Sequence, residues 1–157
     1  MEIEKRETEG KTLYVCVNNV GRSQFGAVLH NHTEGRIGEA DSAGIKVDIP
    51  GGKVKDWVGG AADICTVMEE EGLDISGNTR TQFSEDMAQG YDRIIFMLDP
   101  EQIPDDLEIH SPNRHYWQLR DPRDMPIERV RDIKEFIKAN VGLIATSHAV
   151  DLLPCYS

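Results

Sequence analysis

Cysteine is scarce in this chain, with three among 157 residues, at positions 16, 65 and 155. Spacings that wide match no zinc-ligand pattern and no disulfide framework, and such sparing thiol usage suits a reducing compartment. The Gly-Lys-Ser/Thr ending of a nucleotide-hydrolase loop is missing, which removes that route to phosphate chemistry. Apolar runs are too short to span a bilayer, and the opening MEIEKRETEGK is charged throughout, unlike a signal peptide. The expected location is therefore cytoplasmic. Basic excess is also lacking: the net charge of −11 disfavours nucleic acid and anionic membranes as partners, since both are repelled at long range. An anionic ligand must be attracted locally. No internal repeat, low-complexity tract or linker divides the chain, so a single domain over residues 12–146 is expected between a polar leader, 1–11, and a tail, 147–157.

Against that background, the run CVNNVGRS from Cys16 to Ser23 stands out. Thr12, Leu13, Tyr14 and Val15 before it have the composition of a buried strand. After it, Phe25, Val28, Leu29 and His32 recur at helical spacing, so the loop ends at a helix N-terminus. Unpaired N–H groups and the positive end of the helix dipole favour an oxyanion there. Val17, Asn18, Asn19, Val20 and Gly21 let the backbone curl into a nest of inward N–H groups, and Arg22 can grip two phosphate oxygens in parallel. In that field the Cys16 thiol becomes a nucleophile, and Ser23 can donate a hydrogen bond to its sulfur. Cysteine with arginine across one short loop is a phosphate pocket with a nucleophile at its floor.

The rest alternates strand and helix, which predicts a three-layer α/β sandwich. Gly38 to Ser42 reads as a second strand entering an Asp41-Ser42-Ala43-Gly44 turn, followed by a Pro/Gly-containing loop over 46–55. Trp57, Ala61, Ile64, Cys65 and Met68 fall on one helical face, with Glu69 to Glu71 solvated and Gly72 capping the end. Ile94 to Met97 reads as a third strand and His115 to Leu119 as a fourth. Val130, Ile133, Ile137, Val141 and Ile144 form the stripe of a long helix after Pro126. His30 and His32 face different directions on their helix and read as solvated or partly packed rather than metal ligands, and Cys65 reads as core.

Four landmarks together resemble the low-molecular-weight protein tyrosine phosphatase superfamily, which also holds thiol-dependent arsenate reductases of the same fold. They are the CVNNVGRSQ loop, Asp41-Ser42-Ala43-Gly44, the GLDIS segment at Gly72 to Ser76, and Asp121-Pro122, within a stretch running from Thr12 to Ile144. The resemblance implies a four-stranded parallel sheet in the order 2-1-3-4 with helices on both faces. It implies catalysis by Cys16, Arg22 and Asp121: the cysteine attacks phosphorus, the aspartic acid protonates the leaving oxygen, and water then hydrolyses the cysteinyl phosphate. Asn19 would hold the loop open and Ser42 would join the network beneath it. No metal or cofactor is implied, and the partner would be a phosphorylated protein or a small phosphomonoester.

Departures from the pattern matter as much. Gly21 stands where many of these phosphatases carry a second loop cysteine, and Arg123-Asp124 follows Asp-Pro where the eukaryotic type places tyrosines. Gly77 and Asn78 stand where a histidine is common. The CVxNxGRSQ wording and Trp117 resemble the arsenate reductases at least as closely. Thioredoxin-coupled reductases use two cysteines after the third strand, whereas this chain has Met97, Leu98, Asp99 and Pro100. The rival expectation is thus reduction of arsenate with an external small thiol; a phosphate-binding module without turnover is a third reading.

Overall fold

The computed structural model describes residues 10–103 and 114–147. Most of the expected leader, the expected tail and Cys155 lie outside the described residues. Strand β1, Thr12–Cys16, is buried along its whole length and pairs in parallel with β2, Ala40–Gly44, on one side and β3, Arg93–Phe96, on the other. Strand β4, Arg114–Tyr116, pairs in parallel with β3, giving the order β2-β1-β3-β4 that the resemblance implied. Helices α1, Arg22–Asn31, α2, Ala61–Glu69, α3, Glu85–Ala88, and α4, Ile127–Ser147, complete the described elements with two short 3-10 turns.

Strand alternation sorts the core into two clusters. Tyr14, Cys16, Ile95 and Met97 meet α1, α2 and α4 on one face, while Leu13, Val15, Ile94 and Phe96 meet Phe83, Ala88 and Leu98 on the other. The first layer is thick: the predicted α4 stripe, Val130, Ile133, Ile137, Val141 and Ile144, is at most 1% exposed. The second is thin among the described residues, its only helix being the four-residue α3. Helix α1 lies close on β1 because position 26 is glycine. A Cβ there would sit 2.7 Å from Tyr14 Cδ1, nearer than side chains tolerate.

Several expectations need correcting. Asp41-Ser42-Ala43-Gly44 is the body of β2 rather than a turn after it, because its backbone completes the ladder with β1. Trp57 lies outside α2, at the end of a 3-10 turn over Val54–Asp56, yet is buried with the helix face it was grouped with. β4 runs from Arg114 to Tyr116 rather than from His115 to Leu119; Trp117 N still donates to Phe96 O, and Leu119 O accepts from Arg22. His30 is fully buried, its Nδ1 3.0 Å from the Tyr14 hydroxyl, while His32 is exposed. Cys65 is core as expected, and burial pushes its thiol up from the usual value.

Glu71 is the other correction. Instead of being solvated it accepts from Lys134 Nζ at 2.6 Å and pairs with Lys138 Nζ at 2.7 Å, while Arg131 grips Glu70 with two N–H groups. These ion pairs clasp the end of α2 to α4. The lysine hydrogen bonds, that of Lys134 foremost, hold the Glu71 carboxyl below the usual carboxylate range. A lowered folded-state value means that this stabilisation is present above the unfolded value, about 4.3, and is lost as pH falls through the folded one. Glu71→Gln should therefore cost about 1 to 2 kcal/mol near pH 7, because Lys134 loses a charge-assisted partner. In urea denaturation the gap from the unaltered chain should close toward pH 3.

Candidate active site

Cys16 ends β1 and Arg22 begins α1, so the sheet and the helix fix the two ends of the intervening loop. Five of the loop's carbonyls are tied down on its outer side. Cys16 O accepts from Ile45 N and Val17 O from Lys46 N, each at 2.9 Å. Asn18 O accepts from Arg80 Nε and Nη2, Asn19 O from Gln24 Nε2, and Gly21 O from Phe25 N. The N–H groups of Asn18 to Arg22, by contrast, reach no protein acceptor among the described residues, and Gly21 caps α1 without a side-chain bond. Carbonyls out and amides in is the polarity of an anion nest.

Asn19 is what lets the chain turn this way. Its φ of 56° is left-handed, a conformation asparagine tolerates better than most residues. Its side chain is locked at both ends: Oδ1 accepts from Thr81 N at 2.7 Å, and Nδ2 donates to Ser23 Oγ at 2.7 Å. Ser23 Oγ in turn lies 3.0 Å from Cys16 Sγ, with its hydroxyl hydrogen free to point at sulfur. From the far side β2 presses on the loop at Gly44, where a Cβ would sit 2.5 Å from Val17 O.

Arg22, 3% exposed, spends one nitrogen on structure: Nη1 donates to Met97 O at 2.9 Å and to Leu119 O at 2.8 Å. Its Nε–H is buried without a partner, and Nη2 reaches only Asp121 Oδ2 at 3.8 Å. The Nε–Nη2 edge is therefore a two-pronged donor held in place, the geometry that matches two oxygens of a tetrahedral oxyanion. Asp121, half exposed, is steadied by Arg123 N donating to its Oδ1 at 2.9 Å. Trp57, Ile64, Val20 and Pro122 wall the space between Cys16, Arg22 and Asp121, which holds about 10 Å³. An entering oxyanion competes with Asp121 for Arg22.

Cys16, Arg22, Ser23, Asn19 and Asp121 thus converge, together with the loop residues Val17, Asn18, Val20 and Gly21 that read as phosphate-binding. Ser42 does not join them. It lines a separate cavity of about 370 Å³ between α1 and β2, and the network beneath the loop runs through Ser23, Asn19, Gln24 and Thr81. Several contributors were missed in the sequence, Arg80 and Asn78 among them. Arg80, 2% exposed and paired with Asp48, holds both the backbone and side-chain oxygens of Asn18. Asn78 donates to Gln24 Oε1 at 3.2 Å, buttressing the side chain that holds Asn19. Neither carries a local signal, for each becomes legible only when the loop over 76–82 folds back under Asn18 and Asn19.

Known structures place this geometry. A low-molecular-weight protein tyrosine phosphatase from T. tengcongensis superposes with a TM-score of 0.68, covering 85% of this chain and 95% of that one at 21% identity. This chain has the low-molecular-weight protein tyrosine phosphatase fold. An arsenate reductase in its oxidised state shares that fold with it, at TM-score 0.64 and 25% identity over 84% of this chain and 92% of that one. In sequence, a Halobacterium salinarum protein named provisionally as an arsenate reductase is 29% identical over 128 residues, 82% of this chain and 85% of its own length. No family model matches. Within this phosphatase fold the loop from Cys16 to Ser23 stands at the carboxyl end of β1, where ligands of doubly wound sheets bind.

Two substitutions test the nest and its fork. Arg22→Lys keeps the charge and loses the paired edge, so phosphate affinity by calorimetry should fall about tenfold or more. Gly44→Ala drives a methyl group into Val17 O and should weaken phosphate to a similar degree, although its side chain touches no ligand.

Proposed function

We propose that the protein is a cysteine-dependent phosphomonoester hydrolase of the protein tyrosine phosphatase type, acting on a phosphorylated protein or a small phosphomonoester. The observation that carries this reading is the buried, unpartnered Nε–H of Arg22 beside Cys16 Sγ, with a carboxylate across the same pocket. The phosphoryl group sits in the nest with its equatorial oxygens on the loop amides and on Arg22. Cys16 Sγ attacks phosphorus in line with the leaving oxygen, which takes a proton from Asp121 as its bond to phosphorus breaks. Ser23 steadies the sulfur in attack and again in departure. Water then attacks the cysteinyl phosphate, giving a proton to Asp121, and inorganic phosphate leaves with Cys16 restored.

The similarity to the Halobacterium protein favours a second reading, arsenate reduction with an external thiol. Arsenate fits the same cradle and condenses with Cys16, losing water. A small thiol attacks the sulfur, and arsenite departs as that sulfur becomes half of a mixed disulfide; a second thiol molecule frees Cys16. Met97, Leu98 and Asp99 after β3 offer no resolving cysteine, which leaves an external thiol as the reductant of that second reading. Hydrolysis ranks first because Asp121, across the pocket from Cys16, supplies an acid suited to an ester leaving group, which reduction by an external thiol does not require.

Hydrolysis of 4-nitrophenyl phosphate should vanish in Cys16→Ser. Asp121→Asn should slow phenyl phosphate by about a hundredfold or more, yet 4-nitrophenyl phosphate much less, since nitrophenolate leaves without a proton. If no phosphomonoester turns over while arsenite appears when a small thiol is added, the reductase replaces the phosphatase.

A further inference from the structure

The two guanidinium groups that touch the loop each face a carboxylate, Arg22 with Asp121 and Arg80 with Asp48. Arg123 does not. It is exposed, its guanidinium pairs with no carboxylate among the described residues, and its Cζ lies 5.5 Å from the centroid of the Trp57 ring. Trp57 is a wall of the phosphate pocket and only 6% exposed, so the cation is stacked on the pocket's own rim. The ring cannot easily shift. Gly59 packs so close that a Cβ there would lie 2.3 Å from Trp57 Cζ2, and Arg123's own N–H is bonded to Asp121 Oδ1. A guanidinium lying over an aromatic face keeps its N–H edge available to an oxyanion.

We propose that Arg123 makes the pocket selective for phosphate monoesters whose leaving group carries a second negative charge. The inference rests on the phosphatase reading of that pocket and adds the substrate class to it. Physically, a chain of net charge −11 repels such a substrate at a distance, so an unpaired cation at the mouth decides whether it docks. Arg22 and the loop amides take the phosphate, Asp121 serves the leaving oxygen, and Arg123 takes the second anion beyond it.

The test compares matched pairs on the full chain: benzylphosphonate against 4-carboxybenzylphosphonate for binding by calorimetry, and 4-carbamoylphenyl against 4-carboxyphenyl phosphate for kcat/KM. Dividing each protein's preference by that of Arg123→Gln cancels differences in leaving-group acidity. The unaltered chain should prefer the carboxylated partner by about threefold or more relative to Arg123→Gln, the range of an exposed ion pair. Arg123→Glu should invert the preference, Arg123→Lys should retain part of it, and added salt should shrink it in the unaltered protein. Equal ratios in all four proteins, with no salt effect, would overturn the proposal. Selective binding without turnover of either ester would sustain the anion selection and defeat the hydrolase reading, whereas turnover without selection would do the reverse.

Discussion

Everything at the site depends on one orientational constraint: a buried peptide loop must point its carbonyls outward if its amides are to face an anion. Carbonyl oxygens left facing an anion would repel it, and carbonyls left without donors in the interior would cost stability. The fold answers by giving the oxygens of Cys16, Val17, Asn18, Asn19 and Gly21 a donor each, from Ile45 and Lys46 after β2, from Arg80, and from Gln24 and Phe25 on α1. Asn19 closes the arrangement, since its left-handed backbone reverses the curl and its side chain joins Thr81 to Ser23. The sulfur is reached by the same route, through Ser23 Oγ.

Local chemistry was readable in the chain because it is contiguous. The loop from Cys16 to Ser23, the strand before it and the helix after it are neighbours in sequence, so periodicity and residue type were enough. The α4 stripe was readable for the same reason. What escaped was assembled from distant segments. Arg80 and Asn78 look like ordinary loop residues until the segment carrying them folds beneath Asn18 and Asn19. Glu71 looks solvated in an acidic triplet because its lysines come from α4, more than sixty positions later. Ser42 erred the other way: its neighbours matched a familiar pattern, but its side chain faces the cavity between α1 and β2.

The missing histidine near Asn78 illustrates how an absence can be filled by different chemistry. The amide of Asn78 supports the amide of Gln24, which reaches Asn19 Oδ1 and Asn19 O. Amides do not titrate between pH 5 and 8 as an imidazole does, so this support stays in one state over that range. The loop's rigidity is correspondingly uncoupled from proton concentration beneath it.

Cys16 is placed by strand register as well as by its loop. It pairs with Gly44 at the last rung of the β1–β2 ladder, on the face that carries Tyr14. A slip of one residue would turn its sulfur toward Leu13's side of the sheet and bring a side chain where only Gly44 allows the loop to pass. Parallel neighbours zip together only after long stretches of chain have been gathered. Cys16 is thus completed late: its sulfur takes up its place against Ser23, the loop amides and Arg22 only once the central sheet has locked.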